Sequence, residues 1–325
     1  MKNDSLARPL SPMRKILGGL ASPLLYLSFV LAPFSPLPIG IVTLLNGVFW
    51  AFLIWAVGFA LIFVGAGPQN SLFYALTTAP VGLGLGIALK RGWTPERGIL
   101  FSTLLGIFLT LGALFFASQR ADQSVSQYLE DSTQKGVQYI QEIYEKNQEQ
   151  TGSENKEITQ LFKDFKEKPE EMTGMVKREI LPNLFYFFGL ISWLNCILLA
   201  WFSRRIPDIS LKWPSDYFLT WRSPEKLIWV AIASGACVVF QVKPVLLVAD
   251  PLLKILIFIY FLQGISILAF LFHRFRTAAP IRIFGYVLLL TFAKSFIAAI
   301  GFFDLWWDIR KKLNSGGQSN ESHFT

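Results

Sequence analysis

The stretch LPNLFYFFGLISWLNCILLAWFS, residues 181–203, carries no charged side chain over a length that suits a membrane-spanning helix. About 20 consecutive apolar residues cross a hydrocarbon core of ~30 Å. Residues 251–272 form a second stretch of this kind, with a single lysine in it. Neither stretch shows the 3.6-residue alternation of apolar and polar residues that marks a water-facing helix. Both therefore predict helices that lie in a lipid bilayer.

The composition of the whole chain supports this interpretation. Its 325 residues are 53% hydrophobic and only 16% charged, whereas soluble domains average roughly 25% charged residues. We predict an all-α fold, a polytopic transmembrane helical bundle of about eight membrane segments with a helical extracytoplasmic insert. The predicted divisions of the chain are a basic cytoplasmic N-terminus (1–15), N-terminal transmembrane helices (16–117), the acidic insert (118–180), C-terminal transmembrane helices (181–312) and a disordered tail (313–325).

Several function classes are disfavoured by the residues that the chain lacks. It has two cysteines, Cys196 and Cys237, each within an apolar run, and two histidines. This is too few for a disulfide framework or a Cys/His metal site, so we expect no metal and no cofactor. No nucleophile, base and orienting group occur at a recognisable spacing, and no Walker-type loop is present. We therefore expect no catalytic residues and no enzymatic activity.

Charge is distributed unevenly and predicts the topology. Residues 118–180 hold nine Lys/Arg and thirteen Asp/Glu, a net −4, while the rest of the chain carries +12. Because basic residues in short loops mark the cytoplasmic side, the insert should be extracytoplasmic and the N-terminus cytoplasmic. The basic clusters are split among loops that membrane segments separate. They therefore do not form one basic surface, and we expect no nucleic-acid partner.

If every basic cluster is cytoplasmic, the chain must cross the membrane an even number of times between one cluster and the next. Two regions make this condition hard to meet. Residues 37–64 would form a helix of ~42 Å, longer than the bilayer core is thick. Either the helix breaks at Asn46-Gly47 or it is a single tilted span. Residues 281–303 have the length of one crossing, and the side of the C-terminus stays open unless this segment folds back near Lys294.

Short motifs predict helix starts and close packing. GWTPERGIL (92–100) and WRSPEKLIW (221–229) each combine a capping hydroxyl, a proline and a glutamate, as helix N-termini do. Asp250-Pro251 repeats the pattern with Lys254 one turn on. The glycines of APVGLGLGIALKRG (79–92) suggest a small-residue face for helix packing rather than a dinucleotide loop.

The insert has its own helical pattern. Apolar residues recur at helical spacing through about 122–148, and a second series runs from Ile158 to Phe165. These helices either cover the mouth of the bundle, contact a partner, or form a solvated hairpin that extends segments 98–117 and 181–203.

Polar residues within apolar spans are the candidate ligand contacts. An ionisable group there costs at least ~2.5 kcal/mol and usually faces a cavity or a partner. Lys294 is such a group, either as a solute contact or as a snorkelling lysine at a bent helix. Gln263 and Asn195 can line a cavity or cross-link helices. We take these three residues as the substrate-binding candidates.

GFFDLWWDIRKK, residues 301–312, ends the last apolar segment with residues suited to the membrane boundary. Trp306 and Trp307 are interfacial anchors by type. Asp308 can pair with Lys311 or Lys312 along the helix, and Asp304 requires a cation, for which the arginines of 274–282 are candidates. An ion-pair clamp and a proton relay are both compatible with this pattern.

The chain resembles the YybS-like family of uncharacterised bacterial polytopic membrane proteins. Three segments carry the resemblance: LKRGWTPERGIL, YFLQGISILAF and GFFDLWWDIRKK. That family is distantly similar to the substrate-binding membrane subunits of energy-coupling-factor transporters. The resemblance implies a multi-pass protein of the bacterial inner (plasma) membrane that binds or transports a small solute without its own ATPase. Its expected partners are the lipid bilayer and a separate ATPase module. The first helix departs from the transporter pattern, since it offers only Gly18 and Ser22 as a small-residue face.

A non-transporting scaffold or regulatory protein is the alternative. It would bind an envelope protein through the 118–180 insert.

Overall fold

The computed structural model describes residues 12–151, 169–205 and 216–318, and all regular secondary structure in these ranges is helical. The all-α prediction is confirmed. The chain divides into two compact units, residues 1–209 and 210–325, which we call the N-terminal unit and the C-terminal unit. The helix 181–203, which we expected to begin the C-terminal set of membrane helices, thus lies in the N-terminal unit.

The N-terminal unit contains seven helices in its described residues. A short 3₁₀ turn at Ala32–Phe34 precedes α2, and a π-helical turn at Ala79–Leu83 joins α3 to α4. The helices are α1 Pro12–Leu27, α2 Pro36–Asn46, α3 Val48–Thr78, α4 Gly84–Lys90, α5 Pro95–Arg120, α6 Val125–Thr151 and α7 Pro169–Ser203.

Two glycines with positive φ break the long apolar run between α2 and α4. Gly47 (φ 90°) separates α2 from α3, so the predicted break at Asn46-Gly47 is confirmed. Gly67 (φ 88°), followed by Pro68, interrupts α3. A Cβ on Gly58 would lie 2.5 Å from the Tyr74 hydroxyl, so the two arms of α3 run antiparallel as a hairpin. A straight helix over Val48–Lys90 would be about 65 Å long, far beyond one bilayer crossing.

The glycines of α4 and the preceding turn provide the close packing that the sequence predicts. A Cβ on Gly82 would stand 2.8 Å from the Pro36 carbonyl oxygen, and one on Gly86 would overlap Thr43. Between them, Gly84 faces α5, where its Cβ would stand 2.7 Å from Ser102 Oγ. These small residues let α2 and α5 lie against opposite sides of one segment.

The insert begins as a helical hairpin. After α5 a turn at 121–124 leads into α6, and α7 runs without a break from the insert into the apolar segment. Lys177 of α7 forms an ion pair with Glu130 of α6 and donates to Ser126 Oγ at 2.6 Å. The first predicted insert helix is confirmed, whereas the series Ile158–Phe165 lies outside the described residues.

The C-terminal unit contains the remaining helices. A tight turn, with Gln241 at φ 51°, folds α9 back onto α10. The helices are α8 Tyr217–Thr220, α9 Lys226–Val239, α10 Lys243–Arg274, α11 Ala279–Phe292, α12 Lys294–Trp307 and α13 Ile309–Gln318.

The crossing of α10 and α12 is very close. A Cβ on Gly264 would overlap the Ile297 carbonyl, and one on Gly301 would overlap the Tyr260 carbonyl. At both glycines the close neighbour is backbone of the other helix, so no side chain fits there. Tyr260 also packs edge-on against Phe302, with ring centroids 5.1 Å apart.

The last apolar segment does not make a straight crossing. Its axis turns by 100° between α11 and α12, at a break that includes Ala293. The segment is thus either a broken span or a re-entrant loop. In the described part of the chain four helices are long and apolar enough to cross a membrane, or five if this bent pair counts as one span. The number of eight segments stays a prediction.

Two of the predicted helix starts need correction. α5 begins at Pro95 after Thr94 as expected, although the Thr94 side chain makes no capping hydrogen bond. α9 begins at Lys226, and Ser223 does not cap it because its hydroxyl bonds to another helix. α10 begins at Lys243 and passes through Pro251, so Asp250-Pro251 is not a helix start. The expected ion pair between Asp250 and Lys254 does form, at 2.8 Å.

Candidate functional site

The N-terminal unit contains an open cavity of about 600 Å³ between the second arm of α3 and α7, with α5 behind it. The apolar part of the wall comprises Phe73, Leu76, Met175, Val176, Ile180, Leu184, Phe187 and Phe188. Its back is rigid, because Phe188 is 2% exposed and a Cβ on Gly106 of α5 would overlap its ring. A cavity of this size accommodates a small organic ligand.

Four polar residues interrupt this apolar wall: Thr77, Thr110, Glu179 and Asn183. The Thr77 hydroxyl donates to the Phe73 carbonyl of its own helix at 2.7 Å. The buried Thr110 hydroxyl has no hydrogen-bond partner among the described residues. An apolar wall with a few placed polar groups is the usual make-up of a ligand site.

A second cavity of 380 Å³ adjoins the first. Its walls share Phe73, Thr77 and Phe187 with the first cavity and extend to the turn between α1 and α2 and to Ile191 of α7. One hydrogen bond joins α1 to α3 in this wall, since the Tyr26 hydroxyl donates to the Asn70 carbonyl at 3.0 Å. Three side chains thus separate two adjoining chambers.

Buried hydrogen bonds hold the turn that closes the second cavity. The Asn195 amide, fully buried on α7, donates to the carbonyls of Pro33 and Ile191, both at 2.8 Å. Ser22 donates to the Ser35 carbonyl at 2.8 Å and lies 2.9 Å from the Tyr74 hydroxyl. Asn195 therefore supports the wall of this cavity through Pro33 and Ile191 but does not itself line it.

The C-terminal unit contains an ionic cluster of four residues, in which Asp304 and Arg310 are buried and Arg222 and Asp308 are partly exposed. Asp304 is fully buried, accepts a hydrogen bond from the Ile309 amide at 3.0 Å, and lies 4.0 Å from Arg222 Nε. Arg222 also forms an ion pair with Asp308. Arg310, only 5% exposed, donates to the Trp221 carbonyl at 2.9 Å and to Ser266 Oγ at 3.1 Å.

The geometry of this cluster depends on the end of α12. Asp308 adopts a left-handed conformation (φ 43°, ψ 55°), which ends the helix and turns the chain into α13. Both carboxylates consequently face Arg222, and Arg310 turns inward. The hydrogen bond from Arg222 holds the pKa of Asp308 below its usual value, while burial lowers the pKa of Arg310 and Asp304 opposes that effect.

Gln263 binds Ser223, the residue that follows Arg222 of the cluster. Its Oε1 accepts hydrogen bonds from both the Ser223 amide, at 3.0 Å, and the Ser223 hydroxyl, at 2.6 Å. Its Nε2 is buried without a hydrogen-bond partner among the described residues. The same holds for Asp304 Oδ2, the oxygen that lies 4.0 Å from Arg222. Gln263 thus ties the loop before α9 to α10, in the manner of a helix cross-link.

The predicted substrate-binding residues are divided between the two units. Asn195 belongs to the N-terminal unit, whereas Gln263 and Lys294 belong to the C-terminal unit. Lys294 is exposed at the first residue of α12. None of the three lines either of the two cavities in the described residues. As ligand contacts they stay predictions.

The boundary residues fall into two groups. Asp304, Asp308 and Arg310 join the ionic cluster, with Arg222 as the cation that sequence reasoning did not identify. Trp306 and Trp307 are each 54% exposed, and the Trp307 ring stacks on Phe303 at 5.3 Å between centroids. Exposed tryptophans at a helix end suit the interfacial role predicted for them.

The sequence does contain a signal for the cavity. Glu179, Asn183 and Phe187 recur every fourth residue and so lie on one face of α7. That spacing places two polar groups in line with an aromatic ring at the start of an apolar helix. Among the described residues no group of three or more His, Cys, Asp or Glu side chains could hold a metal.

Comparison with known protein families gives a match over most of the chain. The model of the family described as "Predicted membrane protein (DUF2232)" matches residues 16–305, which is most of the chain. No curated protein and no solved structure matches.

Proposed function

We propose that this chain, which belongs to the DUF2232 family of predicted membrane proteins, is a small-solute binding or transport subunit without its own ATPase. The observation that carries the proposal is the 600 Å³ cavity between α3 and α7. Its volume lies within the range of ligand pockets, and its wall is apolar with a few polar groups. The solute would bind between these helices, within the N-terminal unit.

The position of the cavity supports capture from the extracytoplasmic side. Met175 and Val176 of its wall directly precede Lys177, which bonds to the insert helix α6. The basic residues that predict the cytoplasmic side are at the opposite ends of these helices, Arg97 at the start of α5 and Arg204 after α7. The mouth of the cavity would thus lie next to the insert.

A partner would supply the energy for transport. The chain offers no phosphate-binding loop, so a transport cycle would require a separate ATPase module or an ion gradient. The membrane location expected for this arrangement is the bacterial inner membrane.

Native mass spectrometry of the protein in polymer-bounded membrane discs tests the proposal. We expect a stoichiometric small molecule to remain bound to the wild-type chain. Asn183→Trp places a large ring in the cavity wall and should abolish retention, whereas Leu181→Trp, at a 46% exposed position of the same helix that lines neither cavity, should not. Empty wild-type protein, or equal retention by both variants, would contradict the proposal.

Sidedness can be tested in whole cells. After Cys237→Ser, a cysteine at Tyr139, which is 65% exposed on α6, should react with a membrane-impermeant maleimide. A cysteine at Lys90 should react only after the membrane is opened. The reverse pattern would place the cavity mouth on the cytoplasmic side.

A scaffold function is the second candidate, and one observation favours it. Tyr139 and Ile140 are 65% and 57% exposed next to each other on the insert helix α6. Adjacent exposed apolar residues outside the membrane suit a protein partner. Changing both to serine should abolish partner co-purification under this hypothesis while leaving solute retention intact.

A further inference from the structure

We infer that the ligand is a single-chain amphipathic molecule that enters from the bilayer, with its polar head near Glu179 and Asn183 and its apolar chain directed towards Ile191. This inference rests on the proposed function and specifies its substrate class. It depends on the length of the two cavities together, on the side chains that separate them, and on the distribution of their polar groups.

The two cavities follow one face of a single helix. The α7 residues in their walls extend from Val176 through Ile180, Leu184 and Phe187 to Ile191, mostly at intervals of three or four. Fifteen residues of α-helix span about 22 Å. The joint space is therefore long relative to its combined volume, a shape that suits an extended chain better than a compact ring system.

The partition between the cavities consists of side chains that can turn. Phe73 and Phe187 belong to both walls and are 66% and 46% exposed, so little packing fixes their rings. The neighbouring Phe188 is 2% exposed and held against α5. Rotation of the two outer rings would join the chambers without disturbing the back wall, because exposed rotamers interconvert rapidly.

The rim of the space is apolar. Leu72, Phe73, Met175 and Phe187, all at least 46% exposed, surround the gap between α3 and α7. On a membrane helix such exposed apolar side chains contact lipid rather than water. A ligand dissolved in the hydrocarbon can therefore reach the gap from the side, whereas a strongly hydrated solute would have to shed its water first.

The polar groups indicate which end holds the head. In the second cavity Tyr26 donates to the Asn70 carbonyl, and Asn70 donates to the Ala66 carbonyl at 2.8 Å, so these groups are used within the protein. The first cavity retains the Thr110 hydroxyl without a partner among the described residues. Glu179 lines the same cavity, so an anionic head would bring a second negative charge to its wall. A neutral hydroxyl or a cationic amine fits best.

Photolabelling in polymer-bounded membrane discs tests the inference. The probes are a long-chain alcohol and a long-chain amine, each with a diazirine at the end of the chain, the carboxylate of the same chain, and a short-chain alcohol. We expect saturable labelling of the second cavity, near Ile191 and the Tyr26–Pro36 turn, by the long alcohol and amine. The carboxylate and the short alcohol should label it several-fold less.

Variants separate this site from general lipid contact. Asn183→Trp should abolish labelling near Ile191, while Leu181→Trp, which lies outside both cavity walls, should leave it unchanged. Phe187→Ala, which removes part of the partition, should increase it. An unfolding midpoint of Asn183→Trp equal to that of the wild type excludes a folding defect. Labelling spread evenly over lipid-facing residues, or insensitive to Asn183→Trp, would overturn the inference.

The proposed function can survive that failure. If native mass spectrometry finds a bound water-soluble molecule that Asn183→Trp releases, while the long-chain probes fail to label the second cavity, only the ligand class is wrong. Failure of both measurements would overturn both.

Discussion

The two units use polar groups in different ways. In the N-terminal unit Ser22, Tyr74 and Asn195 make neutral hydrogen bonds that hold a turn in place beside the cavities. In the C-terminal unit two arginines and two aspartates form a cluster of zero net charge around the end of α12. A buried charge is tolerated only when it is paired and hydrogen-bonded, so such a cluster fixes one arrangement of its helices.

This difference suggests a division of roles. The N-terminal unit has open space and partly exposed rings along α7, as a ligand site requires. The C-terminal unit has a backbone-to-backbone crossing at Gly264 and Gly301 beside its ionic cluster. If the C-terminal unit is the more rigid of the two, substitutions in it should lower the free energy of unfolding more than equivalent substitutions around the cavities.

The largest effect is expected from Gly301→Ala. The new Cβ would overlap the Tyr260 carbonyl, which no side-chain rotation can relieve, so α10 and α12 must separate. We expect the free energy of unfolding to fall by about 3 kcal/mol or more, or the protein not to fold. The apparent midpoint of thermal unfolding in mild detergent measures it. Gly235→Ala is the control, because its nearest neighbour is 4.0 Å away; equal midpoints would refute the close crossing.

Asp304→Ala should rank next. It leaves Arg310 and Arg222 without their buried partner, a change that typically costs ~3–5 kcal/mol. Asp308→Ala removes the partly exposed member of the cluster and should cost much less. The two unfolding midpoints measured under the same conditions decide the ranking. Similar losses for both variants would mean that Asp304 does not organise the cluster.

Gln263→Leu sharpens the comparison within α10. It leaves the Ser223 amide and hydroxyl without an acceptor, for an expected loss of ~1–3 kcal/mol. Gln241→Leu is the matched control, since that side chain is exposed and bonds only to Val238 in its own turn. A small effect of Gln263→Leu combined with loss of solute retention would restore Gln263 as a ligand contact.

The smallest effect concerns pH. Arg222 lowers the pKa of Asp308 in the folded protein, with Lys311 acting in the same direction. A carboxyl group with a depressed folded pKa stabilises the fold above its unfolded value, near 3.8, and this stabilisation is lost as the pH falls through the folded value. Stability measured from pH 6 downward should therefore decline less steeply in Asp308→Asn than in the wild type. Parallel curves would show that the Arg222 bond does not shift this group.

The sequence predicted elements better than contacts. The length of the run 37–64 left two interpretations, a break at Asn46-Gly47 or a single tilted span, and the structure has the break at Gly47. The glycines between 82 and 86 predicted close packing. The helix starts were less certain because Ser223 and Asp250 can bond elsewhere, and tertiary bonds override local capping preferences.

The cavity was not predicted from the sequence. Lys294, Gln263 and Asn195 were chosen as polar residues in apolar runs and stay predictions, whereas the cavity wall is mainly apolar, and apolar residues abound throughout the chain. Arg222 could not be assigned to Asp304 from sequence because 82 positions separate them and the pairing depends on the left-handed turn at Asp308. Such long-range partners require the fold itself.

The most direct test of the central claim is a cryo-electron microscopy map of the full chain in polymer-bounded native membrane discs. We predict elongated non-protein density between the second arm of α3 and α7, along the face from Met175 to Phe188. A map in which Phe73 and Phe187 close directly onto each other, with α3 and α7 in continuous contact and no space between them, would contradict a solute-binding function.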